Sequence, residues 1–364
     1  MITILNVKAW DVVIAGGGII GVSLARELRK HGATVLIVDR SEPGREASHA
    51  AAGMLAYCDP MLPEILAPLA TASASLYPEF VHEIEDESGM RVDLRTQGAI
   101  AYFSEPLSDS VAAYVSSHKC MRRIDADEIS PLEPCLAYSG QAAFSTPEGS
   151  VDPRALVSAS IKAAKHRGID FASGSAVTAV EVQEGRAVSA ATAKSRYQAG
   201  AVVNCCGAWS GQVPPLRFPT RPIKGQMLCL VTAQHGLLQH VVRAPDAYIV
   251  PRSDGRVLVG STLEDVGFDK RVDTDTIQRL HQAAANLVPQ LGEARMLETW
   301  AGLRPGTRDT LPLLGATEVP NYFVAAGHYR DGILLAPITA HLMSQVVRGL
   351  KPDCDLSPFS PARF

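Results

Sequence analysis

Apolar positions along the chain switch between strand-like runs and helical spacing. Residues 10–15 (Trp-Asp-Val-Val-Ile-Ala) form a short β-type run that enters Gly16-Gly-Gly-Ile-Ile-Gly21. Val22, Leu24, Ala25 and Leu28 then recur at helical spacing, which predicts a helix from about Ile20 to His31 with Gly32 as its stop. Residues 33–38 (Ala-Thr-Val-Leu-Ile-Val) are an uninterrupted apolar strand of the kind buried on both faces, ending at Asp39. Farther on, Asp152-Pro153 is an N-cap and first-turn pair for a helix from Pro153 to about His166. β-type runs follow near 175–182, 186–194 and 201–206, the last entering Gly207-Ala-Trp-Ser210. Residues 322–326 run into Gly327-His-Tyr-Arg-Asp-Gly332, with a helix expected roughly from Ile333 to Arg348. Two further β-type runs, 247–253 and 256–262, flank Asp254-Gly255, a two-residue hairpin signal. That register sets Tyr248 opposite Ser261, and alternation puts Tyr248, Val250 and Arg252 on one face.

The first strand, glycine turn and helix carry the clearest chemistry. Gly16, Gly18 and Gly21 complete a G-x-G-x-x-G pattern between strand and helix, with an acid 18 residues after the last glycine. Gly16 permits the tight turn, Gly18 lets the backbone approach a pyrophosphate, and Gly21 lets the helix pack close to the sheet. The helix N-terminus offers N–H groups and partial positive charge to phosphates, and Asp39 can accept hydrogen bonds from ribose hydroxyls. Arg40 is read as solvated or near the adenine side rather than as a ligand for a 2′-phosphate. No second such pattern occurs, so one dinucleotide per chain is the economical reading.

The length of 364 residues suggests roughly two domains. Hydrophobic residues make up 46%, charged residues 20%, and the net charge is −4, so no basic excess points to nucleic acid or an anionic membrane. No apolar stretch has the length of a membrane helix, and the N-terminus lacks a signal-type segment, so a cytoplasmic protein is expected. Seven cysteines, an odd number in a chain of this size, do not suggest a disulfide framework. Cys205 and Cys206 are read as buried small hydrophobes, and no Cys/His spacing suggests zinc.

After Asp39 the chain does not continue the strand–helix alternation usual for an NAD dehydrogenase. Instead, residues 41–55 are rich in small side chains, which let the backbone approach a flat ligand. At these residues the chain resembles the glycine oxidases, within the wider family of D-amino-acid and sarcosine oxidases. Four segments carry the resemblance: Ser48-His-Ala-Ala-Ala-Gly-Met-Leu-Ala56; Tyr248-Ile-Val-Pro-Arg252 with Val259-Gly-Ser-Thr-Leu-Glu-Asp-Val-Gly-Phe268; Trp300-Ala-Gly-Leu-Arg-Pro-Gly-Thr-Arg-Asp309; and Gly327-His-Tyr-Arg-Asp-Gly-Ile-Leu-Leu-Ala-Pro337. The matches run from about residue 10 to 345, weakest over 60–140.

The resemblance implies an α/β fold. A Rossmann-like FAD-binding domain (1–57, 148–213 and 300–364) is joined to a discontinuous mixed or antiparallel β-sheet substrate domain (58–147 and 214–299). It implies non-covalent FAD: Cys205, Cys206 and Cys229 are the nearest candidates for a tether, and none stands at a position that matches one. Flavin contacts are expected from Ile19, Ile20, Ser48, Ala51, Ala52, Gly53, Met54, Gly207, Trp209, Gly327, His328, Arg330, Gly332, Ile333 and Leu334. Arg304 is the expected carboxylate clamp, with Tyr248 donating to the same carboxylate and Arg330 third. His328 and His49 are assigned structural or flavin-packing roles, and Asp309 is read as a turn acid. The implied reaction is oxidation of glycine or a similarly small amine by hydride transfer to flavin, with molecular oxygen as reoxidant. Its products are a 2-oxo acid, ammonia and hydrogen peroxide, and its context is thiamine thiazole synthesis. Alternatives that share the same motifs are D-amino-acid, proline or 2-hydroxy-acid oxidases and dehydrogenases. A homo-oligomer is expected from the family.

Overall fold

A computed structural model describes residues 8–137, 140–232, 234 and 236–364. Residues 1–7, counted above with the first domain, lie outside the described residues. The opening unit consists of β1 (Ala9–Ala15), α1 (Ile19–Lys30) and β2 (Val35–Val38). β2 starts later than the apolar run because Ala33 and Thr34 turn the chain: the Ala33 N–H donates to the Leu28 carbonyl, and Thr34 bonds the Asp11 carboxylate.

β1 pairs in parallel with β2 on one side and with Arg196–Asn204 on the other. The first half of Arg196–Asn204 also pairs with the antiparallel ribbon Val177–Gln183/Arg186–Thr192, and its second half pairs in parallel with Tyr322–Ala326. The period of two is visible in the burial of β1. Val12 and Ile14 join the core under the helices, while Val13 joins the opposite core with Leu36, Val38, Val202 and Tyr322. Helices α1, Ala67–Ser88, Pro153–His166 and Ala336–Val347 pack on one another over the first of these cores.

The second sheet runs in the order Arg295–Gly306, Arg221–Val231, Arg256–Gly260, Tyr248–Pro251, Val241–Arg243, Ala99–Phe103, Ala142–Thr146, Arg122–Ile124. Its pairs are antiparallel except Val241–Arg243 with Ala99–Phe103. Helix Thr274–Leu287 covers it through Ile277, Leu280, Ala284 and Leu287. A third, three-stranded sheet runs in the order Met54–Leu55, Gly149–Val151, Leu94–Arg95. The fold is thus α/β, a Rossmann-like unit joined to a mixed second sheet.

Several expectations need correction. Strand Arg295–Gly306 pairs along the length of Arg221–Val231, so the segment beginning at residue 300 starts inside the second sheet. Helix Ala67–Ser88, placed above in the substrate domain, packs through Leu69, Ala70, Tyr77, Val81 and Ile84 onto the helices of the first unit. The hairpin loop is Ser253-Asp254-Gly255, three residues rather than two. Arg252 pairs with Arg256 across it and Gly255 takes φ +86°, so Tyr248 faces Gly260 and not Ser261. The last helix starts at Ala336, because residues 332–335 form turns and Pro337 occupies its first turn. Among the described residues, no helix is long and apolar enough to cross a membrane.

Candidate functional site

A cavity of about 800 Å³ lies where the two sheets meet. Its first end is the turn between β1 and α1. Gly16 has φ +106°, and a Cβ there would stand 2.3 Å from the Cys205 carbonyl oxygen. Gly18, the N-cap of α1, brings bare backbone to the cavity, and the Ser48 Oγ accepts from the Ile19 N–H at 3.0 Å. Gly21 does not line the cavity; a Cβ there would stand 2.0 Å from the Gly16 carbonyl oxygen, so its role is to seat the helix on the turn. Asp39 accepts from the Gly17 N–H at 2.7 Å and the Ser41 N–H at 2.9 Å, bracing the turn while it lines the cavity. Ile19, Ile20, Gly207 and Trp209 line the same region. Arg40 lies flat on Trp209, 3.5 Å from the ring centroid, and pairs with Glu46.

The small-residue segment forms one wall. Residues 47–50 make a single helical turn, and Ala51, Ala52, Gly53 and Met54 continue along the cavity. Its carbonyls are pinned from outside: His49 O accepts from Arg154 Nε at 3.2 Å, Ala50 O from Trp300 Nε1 at 3.0 Å, and Ala52 O from the buried Arg252. The packing behind is close. A Cβ on Gly53 would stand 1.9 Å from the Val151 carbonyl oxygen, and one on Gly302 would stand 2.4 Å from Ala50 Cβ.

The second sheet supplies the opposite wall. Arg304, on its edge strand, lies across Gly225 of the neighbouring strand, where a Cβ would come within 2.2 Å of Nη1. Its Nη2 donates to Ser261 Oγ at 2.6 Å and its Nη1 to the Thr262 carbonyl at 3.1 Å. Tyr248 folds over its cross-strand partner Gly260, where a Cβ would stand 2.6 Å from the phenol oxygen. The two side chains therefore converge on the Gly260–Ser261 peptide, and both line the cavity. Tyr248 belongs to an apolar cluster with Met227, Met54, Ala52 and Val250, and its hydroxyl donates to Met227 Sδ at 3.6 Å. The turn after Ser261 is fixed by Glu264, which pairs with the buried Lys224 at 3.3 Å and accepts from Gln226 at 2.8 Å.

The loop 327–332 closes the site. Gly327 lies outside the lining; it has φ +74°, with Thr307 packed where a Cβ would be. His328 is buried, bonded to Thr339 Oγ1 at 3.1 Å, and burial pushes its pKa down to about 3, so it is neutral. Tyr329 takes φ +49° and its N–H donates to the Pro305 carbonyl at 2.9 Å, tying this loop to the strand end that carries Arg304. Arg330 reaches Asp59 at 3.4 Å, and Asp59 also pairs with Arg243 at 3.3 Å. Burial pushes the neighbouring Asp331 carboxyl up to about 7. Gly332 and Ile333 line the cavity. Leu334 does not; it is buried in the helical core, its carbonyl accepting from Ser73 Oγ at 2.6 Å. His49 is not part of the lining either, and lies 3.4 Å from Arg45. Asp309 braces its own turn and pairs with Arg363.

Cys205 and Cys206 line the cavity; burial pushes both thiols up, Cys206 to about 12, and Cys206 Sγ donates to the Ala15 carbonyl. Sequence reasoning assigns no site role to Gly225, the Ser261–Thr262 turn, Asp59 or Ala176–Thr178, all of which line the cavity. For Gly225 a signal existed: a glycine inside the apolar strand Arg221–Val231 marks close approach of another group.

These residues fit a flavin dinucleotide. A Cβ would fill the cradle at Gly16, the N-terminus of α1 brings its partial positive charge to the cavity end, and the wall there is built of small residues. A family model described as FAD dependent oxidoreductase matches residues 11–346. The bifunctional protein ThiO/ThiG of Synechocystis sp. is 37% identical over 361 residues, covering 97% of this chain and 54% of that protein. The chain thus spans about half the length of the bifunctional relatives it matches. The glycine oxidase of Geobacillus kaustophilus is 34% identical over 367 residues, covering 97% of both chains. The crystal structure of glycine oxidase from that organism matches with a TM-score of 0.93 at 33% identity, covering 98% of this chain and 99% of that one.

Proposed function

Because the chain belongs to the FAD dependent oxidoreductase family, we propose that it oxidises glycine or a similarly small amine and that Arg304 and Tyr248 hold the substrate carboxylate. The observation that carries this reading is their convergence on Gly260–Ser261, opposite the small-residue wall. Arg304 already has two N–H groups engaged by Ser261 and Thr262, which fix the plane of the guanidinium. A carboxylate arriving at that plane meets a preset charged donor set, and Tyr248 adds a hydroxyl from the strand three places along the same sheet. Met54 and Met227 give the apolar surroundings that favour a small substrate and exclude water. His328, neutral and turned to Thr339, is not required as a base. When bound, without covalent attachment, FAD supplies the two-electron acceptor. The overall conversion takes the amine, water and oxygen to a 2-oxo acid, ammonia and hydrogen peroxide. The relatives named glycine oxidase support the choice of substrate.

The test is anaerobic mixing of the yellow protein with glycine, sarcosine, D-alanine, D-proline and glycolate while the visible flavin band is followed. Bleaching by glycine or sarcosine, reversed by air with peroxide formed, is expected. Bleaching only by a larger D-amino acid or by glycolate overturns the substrate assignment. In the same assay, Arg304→Ala should raise KM by about a hundredfold while FAD stays bound, the loss expected for a charge-assisted pair. A near-normal KM would remove Arg304 from the clamp.

A further inference from the structure

The segment 261–273 joins both ends of the cavity. At its start, Ser261, Thr262 and Leu263 line the substrate end, and the first two hold Arg304. Beyond Glu264, which is anchored to Lys224 and Gln226, the chain leaves the second sheet and reaches the first unit. There, Phe268 packs on Trp209 with ring centroids 5.1 Å apart, and Lys270 pairs with Glu46 at 3.0 Å. Trp209 and Glu46 line the dinucleotide end of the cavity, and both are already engaged by Arg40, which stacks on the one and pairs with the other. Phe268 and Lys270 are both exposed and do not line the cavity themselves. Their contacts go to the side chains that form the wall beside Asp39.

We propose that this segment is a clasp across the cofactor cleft, with Phe268 and Lys270 acting as positioning residues that hold Trp209, Arg40 and Glu46 against the adenosine half of FAD and so slow its release. The inference rests on FAD occupying the cavity and not on which amine is oxidised. Phe268 limits the tilt of the Trp209 ring, and that ring carries Arg40. Lys270 balances the second oxygen of a carboxylate that would otherwise serve Arg40 alone. Because the same segment begins at Ser261 and Thr262, a seated cofactor and a correctly planed Arg304 are two results of one loop conformation.

The experiment uses the holoprotein and reads FAD release after dilution from the rise in free-flavin fluorescence. The Phe268→Ser/Lys270→Ser double variant should release FAD about tenfold faster, the combined size expected of an aromatic contact and an exposed ion pair. Salt should speed release from the wild type by screening the ion pair and leave the double variant little changed. The conservative pair Phe268→Tyr/Lys270→Arg should restore slow release, which a general loss of stability would not explain. A release rate within twofold of wild type in the double variant overturns the clasp. Should that variant not fold, Lys270→Gln alone carries the test: release at least threefold faster supports the proposal and an unchanged rate overturns it. Bleaching of wild-type flavin by glycine is measured separately, so failure of the substrate reading and failure of the clasp are told apart.

Discussion

The most direct perturbation of the proposed carboxylate clamp does not touch Arg304. A Cβ on Gly225 would stand 2.2, 2.4 and 2.5 Å from Nη1, Nη2 and Cζ of that arginine, and ordinary contact begins near 3.4 Å, so the guanidinium must retreat by about 1.2 Å. Gly225 does not use a positive φ, so alanine is tolerated by the backbone and the effect is confined to the displaced group. A retreat of that size lengthens the 2.6 Å bond to Ser261 beyond hydrogen-bonding range and tips the guanidinium plane. A charged hydrogen bond contributes about 1.5–3 kcal/mol, so KM for glycine should rise roughly tenfold to a hundredfold. FAD should be retained, because the substitution displaces Arg304 and leaves the Gly17–Asp39, Phe268–Trp209 and Lys270–Glu46 contacts in place. The assay is steady-state oxygen uptake against glycine concentration, with the anaerobic Kd from flavin bleaching and FAD content from the visible spectrum. A Gly225→Ala protein that keeps its FAD and its melting temperature yet shows KM within twofold of wild type would refute the idea that the glycine floor sets the clamp.

Other expectations follow from buried polar groups. His328 has its folded pKa pushed down to about 3, below the ordinary histidine value of about 6.5. The unfolded chain therefore gains the proton first as pH falls, and the stability present above about 6.5 is lost progressively toward 3. Melting temperature should fall more steeply between about pH 7 and pH 4 in wild type than in His328→Gln; parallel curves would remove His328 as the cause. Arg252→Met removes the buried donor to the Ala52 carbonyl and leaves that acceptor unpaired, at a cost of about 1–3 kcal/mol. Titration of apoprotein should then show FAD binding weakened by about tenfold or more. An unchanged Kd would mean that pinning the carbonyls does not shape the wall.

The readable parts of this chain were those in which neighbouring residues carry the whole instruction. The β1 turn, α1 and Asp39 lie within one contiguous stretch, so periodicity and glycine placement locate them, and each glycine has a distinct neighbour to explain it. The Pro153–His166 helix was legible from Asp152, whose carboxylate does accept from Arg154 and Ala155. What escaped depends on pairing between distant strands. Gly225 and Gly260 matter only because Arg304 and Tyr248 lie across them, and neither strand register is encoded locally. The hairpin loop was read one residue short because Asp254-Gly255 fits a two-residue turn, while the native register places Ser253 in the loop as well. Leu334 follows residues that do line the cavity, but Ser73 and Tyr77 of a distant helix take hold of the backbone there and the side chain turns into the core. Asp59 had no signal, since its partners Arg330 and Arg243 are both remote in sequence.

The pinning of the small-residue wall bears on how this enzyme can be recombined. The donors to the carbonyls of Ala50 and Ala52, Trp300 and Arg252, both come from the second sheet or its hairpin, and the donor to His49 comes from the helix after residue 152. The N-terminal stretch that carries the dinucleotide motif therefore contains the recognition loop but not the scaffold that shapes it. A chimera that grafts residues 1–57 onto another flavoprotein would transplant the glycine turn intact and leave its neighbouring wall without a mould. Crossovers that keep 41–56 together with the segments bearing Arg154, Arg252 and Trp300 should yield yellow protein, whereas those that split them should yield apoprotein. The chain's repeated crossing between its sheets thus makes the cofactor site a property of the whole fold, inherited in one block.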